Sequence, residues 1–252
     1  MFPTNTRTVG HQVVYLDETD STNLKLAQLL RSTAIKEGFV LRAGFQHAGK
    51  GQAGNVWHGS PERNLLFSVL LQPTFLHPAE QFNLNMAISL ALHDFVDSFF
   101  PGKVHIKWSN DLLLDSKKVC GLLIENTLVG DNFKQSIVGI GLNVNQDSFP
   151  PQLQHATSFM LQADQFFLLE ELFTLLLQKI ENRYQALKEG WTNKQKEEYL
   201  SRLFRKDEEA LYIIDGKETA ATIRTVDESG QLGLEVDGQL RFFAKKELSF
   251  VY

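Results

Sequence analysis

The sequence predicts an α+β fold in two parts, and three observations support this prediction. Strand-like segments occur mostly as neighbouring runs joined by short turns, without the strict strand–helix–strand alternation of a doubly wound sheet. Segments 79–100 and 166–187 carry apolar residues at helical spacing. After about Asp207, five short strand-like runs are separated by Asx-Gly or Ser-Gly turns, which is typical of a small barrel or meander. We therefore expect one part at 1–207 and another at 208–252.

The individual elements of the larger part follow from local patterns. Residues 20–23, DSTN, offer Asp and Ser as helix N-caps, and the residues behind them keep helical spacing. Segments 38–46 and 64–73 are continuously apolar, which indicates strands buried on both faces. The other predicted elements are strands at 11–18, 104–108, 111–114, 119–129 and 133–145 and a weaker helix at 191–206.

Composition and charge restrict the class of protein. The chain has 252 residues, of which 43% are hydrophobic and 22% charged, as in an ordinary soluble globular protein. It contains no apolar run of about 18 residues, so no membrane span is expected. A net charge of −5 argues against broad nucleic-acid binding. Cys120 is the only cysteine, which excludes an internal disulfide, fits a reducing cytoplasm and predicts a buried, inert thiol.

The segment GFQHAGKGQAGNVW, residues 44–57, has some features of a phosphate-binding P-loop. A P-loop needs Ser or Thr after its lysine and a helix directly behind it. Here Lys50 is followed by Gly51, and Gly54 and Pro61 prevent a helix, so a P-loop is excluded. The glycines still permit close approach of the backbone to a ligand, with one cation among them. A plain flexible surface loop has the same composition.

Charged and polar side chains surround the hairpin predicted within residues 107–126. Lys107 lies on one strand, Asp111 at the bend and Lys118 across the turn. Two lysines and a carboxylate could hold a carboxylate, a phosphate and a metal or ribose hydroxyl together. Taken alone, the same pattern is more typical of solvated turn residues, with Asp111 closing an Asx-turn.

Five motifs together resemble those of biotin protein ligases in order and approximate spacing. They are DSTN (20–23), QHAGKGQAGNVW (46–57), KWSNDL (107–112), KKVCGLLIE (117–125) and GIGLNVN (139–145). The resemblance implies a mixed-sheet catalytic domain similar to class II aminoacyl-tRNA synthetases and lipoate ligases, with an SH3-like C-terminal barrel. It also implies an enzyme that makes biotinyl-5′-AMP from biotin and MgATP. Biotin then passes to a lysine of a biotin carboxyl carrier protein or domain.

The resemblance assigns roles by motif position. The residues expected on the biotin side are Ser21, Thr22, Asn23, Gln46, Gly121 and Leu123. Those expected in the loop that closes over biotin and phosphate are Gly49, Lys50, Gly51 and Gln52. Those expected beside the nucleotide are Trp57, which would stack on adenine, Asn110 and Asn143. Lys107 is expected near the α-phosphate, Lys118 on the biotin carboxylate or acyl phosphate, and Asp111 on magnesium or the attacking lysine.

The sequence also departs from the pattern of that family. Gln52, Ala53 and Asn55 stand where the loop is often rich in arginine, and Ser109 stands where proline is usual. We therefore expect the loop to hold the acyl-adenylate less tightly, because neutral hydrogen bonds are weaker than charge-assisted ones. The motif pattern begins by Val13, which leaves too few residues before it for a helix-turn-helix, so no direct DNA role is expected.

Two alternative functions remain open from the sequence. A lipoate–protein ligase would share the fold and the reaction type, although the series of motifs from 107 to 145 favours biotin. A non-catalytic module that sequesters biotin or its adenylate would use the same pocket. Pairing through an exposed strand edge would give a homodimer, which the sequence leaves undecided.

Overall fold

The computed structural model describes residues 6–251 as sheets flanked by helices. The strands are β1 (Gln12–Thr19), β2 (Phe39–Gln46), β3 (Gly49–Lys50), β4 (Val56–Trp57), β5 (Leu65–Leu71), β6 (Val104–Lys107), β7 (Asp111–Leu114), β8 (Lys117–Val129), β9 (Asn132–Leu142), β10 (Glu209–Ile214), β11 (Lys217–Val226), β12 (Leu232–Val236), β13 (Gln239–Phe243) and β14 (Leu248–Phe250). The helices are α1 (Thr22–Ser32), α2 (Gln81–Asp97), α3 (Phe159–Ala163), α4 (Leu169–Lys188) and α5 (Asn193–Ser201). None of these helices is both long enough and apolar enough to cross a membrane.

A seven-stranded mixed sheet, in the order β1-β2-β5-β9-β8-β7-β6, forms the centre of the larger part. β1 and β2 are parallel, and the other neighbouring strands of this sheet are antiparallel. Strands β2 and β5 are buried on both faces, as predicted, because α2 and α4 cover one face and α1 the other. The first turn of α1 lies over β9, where Asn23 packs against Gly139.

A separate antiparallel sheet, in the order β13-β12-β11-β10-β14, follows in the C-terminal part. The Asx-Gly turns at 215–216 and 237–238 take positive φ, as a tight hairpin turn requires. This sheet packs on the larger part through a shared core, in which Tyr199 of α5 and Tyr212 of β10 are fully buried beside residues of α2. The boundary at 207 falls between α5 and β10 and stays a prediction, because the two parts share that core.

Most predicted elements form, and the differences lie at their ends. The strand expected at 133–145 ends with β9, because the N–H of Val144 donates to Asn64 Oδ1 and the carbonyl of Asn143 accepts from the N–H of Phe159, so the chain leaves the ladder with β8. The helix expected at 191–206 is limited to α5, since residues with positive φ follow it. Behind Lys50 come a short 3₁₀ turn and β4 instead of an α-helix, which confirms that the loop is not a P-loop.

A buried carboxylate in α4 anchors the N-terminal segment. Glu181 is only 5% exposed and accepts hydrogen bonds from the backbone N–H groups of Arg7, Thr8 and Val9. We expect Glu181→Ala to lower the free energy of unfolding by about 2–4 kcal/mol, because buried donors lose a charged acceptor. Chemical denaturation against Asn182→Ala, an exposed neighbour, measures this. Equal stability of the two variants would contradict the anchoring role.

Candidate functional site

A cavity lies on the α1 face of the large sheet, between the first turn of α1, the β3–β4 hairpin and the β7–β8 hairpin. Of the residues predicted from the sequence, its lining includes Ser21, Thr22, Asn23, Gln46, Lys50, Gly51, Gln52, Trp57, Asn110, Asp111, Lys118, Gly121 and Leu123. Segments that are far apart in the chain therefore meet around one space. The cations Lys50 and Lys118 border the same cavity.

Neutral polar groups form the end of the cavity beside α1. Gln46 Oε1 accepts a hydrogen bond of 2.7 Å from the backbone N–H of Thr22. Ser68 Oγ, fully buried in β5, lies 2.7 Å from Thr22 Oγ1 and 2.6 Å from Asn23 Oδ1. Asn23 Nδ2 donates to Glu125 Oε2 at 2.7 Å. Because each side chain is held by another, this end presents fixed donors and acceptors suited to a neutral polar head group.

Three glycines keep the floor of the cavity free of side chains. A Cβ on Gly139 would lie 2.3 Å from Asn23 Oδ1, so glycine is needed where α1 meets β9. Gly121 and Gly141 face each other across β8 and β9, and the indole of Trp57 lies on both. A Cβ on Gly141 would be 2.5 Å from Trp57 Cε2. The floor is thus a bare stretch of backbone, and the proposed stacking of Trp57 on adenine stays a prediction.

An ion pair marks the opposite end of the cavity. Lys118 Nζ lies 2.8 Å from Asp111 Oδ1 and 5.5 Å from the centroid of the Trp57 ring. The β7–β8 hairpin sets this geometry, since it pairs Asp111 with Gly121 and Leu113 with Lys118. Apart from Asp111, no acidic residue lines this cavity within the described part of the chain. Because Lys50 also lines the cavity, the cations outnumber this one carboxylate and the cavity favours anions.

Lys107 lies next to this cavity but does not line it. It lines an adjoining cavity of about 170 Å³ together with Asp111 and Lys118. Its Nζ lies 5.0 Å from the ring centroid of Phe250 in β14, a cation–π distance. The three charged residues predicted at the hairpin therefore remain neighbours, with Lys107 on the far side of Asp111.

Gly49 and Asn143 also lie outside the lining of the main cavity. Gly49 is a backbone member of the β3–β4 hairpin, paired with Trp57. Asn143 is buried, and its Nδ2 donates to the carbonyl of Thr157 at 3.0 Å. Its side chain therefore holds the segment around Thr157 next to the end of β9. The predicted contact of Asn143 with adenine is untested.

Sequence reasoning missed Lys245, which reaches the cavity from the C-terminal sheet. Its Nζ lies 2.7 Å from Asn110 Oδ1 and also donates to Gln52 Oε1. Burial lowers the pKa of Lys245 to about 8, an effect that Asp111 opposes and that Lys118 and Lys107 reinforce. No motif marked this lysine, because only the packing of the two sheets brings residue 245 near residues 52 and 110.

Ser68 was missed for a different reason. It interrupts the apolar segment predicted as a fully buried strand, and its hydroxyl joins Thr22 and Asn23. A lone hydroxyl in such a run was the available signal, because a buried hydroxyl requires a polar partner.

Cys120 behaves as expected: it is fully buried, and burial raises the pKa of its thiol well above the ordinary value.

The cavity is small, about 90 Å³, compared with the roughly 300 Å³ at the lower end for small-molecule sites. The β3–β4 hairpin and the indole of Trp57 take up the space above the glycine floor. A second cavity of about 330 Å³ adjoins it and shares Gln52 and Lys245. A ligand larger than a few atoms therefore has to extend beyond the small cavity into this second one.

A model of the biotin/lipoate A/B protein ligase family matches residues 15–143, which is half of the chain. The chain belongs to this family. The matched region contains the first turn of α1, the glycine-rich hairpin and strands β7 to β9, and hence all of the cavity lining except Lys245. The family predicted from the five motifs is therefore confirmed.

Individual members of the family are similar over part of their length. The bifunctional ligase/repressor BirA of Bacillus spizizenii is 32% identical over 165 residues, which cover 64% of this chain and 50% of that protein. The biotin--[acetyl-CoA-carboxylase] ligase of Paracoccus denitrificans is 37% identical over 136 residues, covering 51% of this chain and 53% of that protein. This chain spans about half the length of these curated relatives.

A solved structure of the family matches both sheets. The biotin protein ligase from Aquifex aeolicus, in complex with biotin and ATP, is 25% identical and superposes with a TM-score of 0.79. The match covers 96% of this chain and 99% of that chain. The predicted fold class, a mixed-sheet α+β domain with a small C-terminal SH3-like sheet, is confirmed by this match.

Proposed function

We propose that this chain is a biotin protein ligase, which activates biotin with MgATP and transfers it to a lysine of a biotin carboxyl carrier protein or domain. One observation carries the proposal. A single cavity joins a fixed set of neutral donors and acceptors at Thr22, Asn23 and Gln46 to a cationic end at Lys118. Biotin has the same polarity, with a neutral ureido head and a carboxylate at the end of an apolar chain.

The first step joins two anions, and the cationic end of the cavity serves it. The biotin carboxylate attacks the α-phosphorus of ATP, an acyl–phosphate bond forms, and pyrophosphate leaves. The protein binds, orients and neutralises charge, which is how phosphoryl and nucleotidyl transfer are usually catalysed. In this proposal Lys118 binds the carboxylate or the acyl phosphate and Lys107 binds the α-phosphate, which their positions beside Asp111 support.

The second step transfers the acyl group to the carrier. A neutral lysine amine attacks the acyl carbon, the bond to AMP breaks, and AMP leaves. Asp111 is the carboxylate nearest this chemistry and is held by Lys118, so it is suited to orient the incoming amine and accept its proton.

The same proposal includes two further properties. Two such chains pair through the exposed edge of β1, and the protein is located in the cytoplasm.

Magnesium enters as part of the MgATP substrate. Within the described residues no cluster of three or more His, Cys, Asp or Glu side chains forms, so a dedicated metal cage is not available there. Mg²⁺ commonly binds through one or two carboxylates together with substrate phosphates and water. Asp111 fits that role as a single carboxylate beside the cationic end, where the ion would neutralise phosphate charge.

Biotin-dependent exchange of pyrophosphate into ATP tests the proposal. We expect exchange with biotin and none with lipoate, because the fixed amide and hydroxyl groups match a ureido head. Mass analysis of a biotin carboxyl carrier domain should then show one added biotinyl group. Exchange with lipoate alone would assign a lipoate ligase. Tight biotin binding without exchange would assign a non-catalytic binding module, and either result would overturn the proposal.

A further inference from the structure

Lys245 brings a positive charge into the site from outside the region that defines the family. It follows β13 in the C-terminal sheet, and its Nζ contacts Asn110 Oδ1 at 2.7 Å and Gln52 Oε1. Both acceptors are amide oxygens, so neither contact neutralises the charge. These contacts account for two of the three N–H donors of an ammonium group.

The position of Lys245 connects two cavities. It lines the cavity beside α1 and also the larger one of about 330 Å³. The second cavity is lined mostly by neutral polar and aromatic side chains, among them Gln81, Asn85 and Trp108. An elongated ligand that extends from the first cavity into the second must pass the ammonium group of Lys245.

The electrostatic surroundings of Lys245 favour an anion at this junction. The charged groups that act on it are Asp111, which stabilises its ammonium form, and Lys118 and Lys107, which destabilise it. Burial adds to the cost of the charged form. A partly buried ammonium group among other cations is unfavourable by itself, and a phosphate group would offset both the burial and the repulsion.

Resting on the proposed function, we propose that Lys245 is a phosphate-binding residue, which the C-terminal sheet supplies to the phosphate chain of ATP. Gln52 and Asn110 orient its ammonium group between the two cavities. Phosphate binding thus depends on both parts of the chain. The glycine-rich hairpin contributes a neutral acceptor at residue 52, and the C-terminal sheet contributes the positive charge. A cation at residue 52 would repel Lys245 at contact distance.

Substitution of Lys245 should raise the KM for ATP and leave the KM for biotin nearly unchanged. We expect Lys245→Gln to raise the KM for ATP in pyrophosphate exchange by about tenfold, as the loss of one charge-assisted hydrogen bond predicts. The KM for biotin should stay within about twofold. Lys246→Gln is the matched control, because Lys246 is an exposed neighbour outside both cavities, and it should leave both constants unchanged.

The pH profile separates a charge effect from a structural one. Lys245 is an ammonium group below its pKa of about 8 and a neutral amine above it. Attraction to phosphate is therefore present below pH 8 and lost above it, so kcat/KM for ATP should fall as pH rises through about 8. In Lys245→Arg this fall should be absent, since a guanidinium group stays charged. Identical profiles for the wild type and Lys245→Arg would overturn the proposal.

Two further variants decide between phosphate binding and a simple contact between the sheets. Gln52→Ala removes the hydrogen bond to the hairpin but keeps the ammonium group, so it should raise the KM for ATP by less than Lys245→Gln does. The double variant Gln52→Arg with Lys245→Gln moves the cation to the hairpin and should recover most of the affinity for ATP. If Gln52→Ala were as impaired as Lys245→Gln, the contact and not the charge would be responsible, and the proposal would fail.

Calorimetric titration with a non-hydrolysable ATP analogue keeps this test separate from the proposed function. A wild type without exchange would refute the ligase activity, yet weaker binding of the analogue by Lys245→Gln than by Lys246→Gln would still support the phosphate contact. A wild type with normal exchange and equal analogue binding by both variants would refute the phosphate contact alone.

Discussion

Biotin-dependent pyrophosphate exchange should fall by about 10²–10³-fold in Lys118→Ala, because a cation at the meeting point of two anions is lost. Lys118 Nζ now lies 2.8 Å from Asp111 Oδ1. Without it, the Asp111 carboxylate would face the biotin carboxylate and the α-phosphate with its own ion pair broken. Two unit charges about 4 Å apart interact by roughly 4 kcal/mol at an effective dielectric constant of about 20. The Lys118 side chain is 38% exposed, and solvent screening keeps the loss below that limit.

The fold should tolerate this substitution, so the result is interpretable. The backbone of Lys118 carries its structural contacts, since its N–H donates to the carbonyl of His155 and its carbonyl accepts from Thr157. Lys117→Ala is the matched control, because Lys117 is an exposed neighbour that does not line the cavity. A Lys118→Ala variant that melts like the wild type and exchanges within about threefold of its rate would exclude Lys118 from the chemistry.

Much of the fold could be predicted because local chemistry decided it. Continuous apolar runs predicted β2 and β5, and the Asx-Gly turns at 215–216 and 237–238 marked where the C-terminal strands are separated. The same local reasoning excluded a P-loop, since Gly51 replaces the required Ser or Thr and several glycines and a proline disfavour a helix behind Lys50. Ends of elements were harder, because tertiary hydrogen bonds set them, such as the one from the N–H of Val144 to Asn64 Oδ1 directly after β9.

The site was predictable only where contiguous motifs carry it. The first turn of α1, the glycine-rich hairpin and the β7–β8 hairpin each keep their residues close in sequence, and they meet at the cavity. Lys245 depends instead on how two sheets pack, and in the sequence it resembles its solvent-exposed neighbour Lys246. The resemblance placed Gly121 on the biotin side, but nothing local indicated that the indole of Trp57 lies on Gly121 and Gly141.

Gly141→Ala should lower kcat/KM for biotin by about 10²-fold, because the floor of the cavity would no longer accept Trp57. The added Cβ would lie 2.5 Å from Trp57 Cε2 and 2.8 Å from Cζ2, whereas ordinary contacts begin at 3.4 Å. The indole, and with it β4 of the hairpin, must therefore move by about 1 Å, a misplacement that can cost about 10²-fold in rate. Gly121→Ala brings its Cβ only to 2.9 Å from Cζ3, so its loss in biotin-dependent exchange should be smaller.

A double-mutant comparison assigns this effect to the contact between Gly141 and the indole. In the Trp57→Ala background the new Cβ meets no ring, so adding Gly141→Ala should change kcat/KM for biotin by less than about threefold. Trp57→Ala alone has its own cost, because the ring also faces Lys118 Nζ at 5.5 Å. The informative quantity is therefore the difference between the two backgrounds. If Gly141→Ala lowered kcat/KM for biotin as much without the indole as with it, the glycine floor would contact the ligand directly and would not act by positioning Trp57. In that case the hairpin would not need to rest on the floor for the site to form.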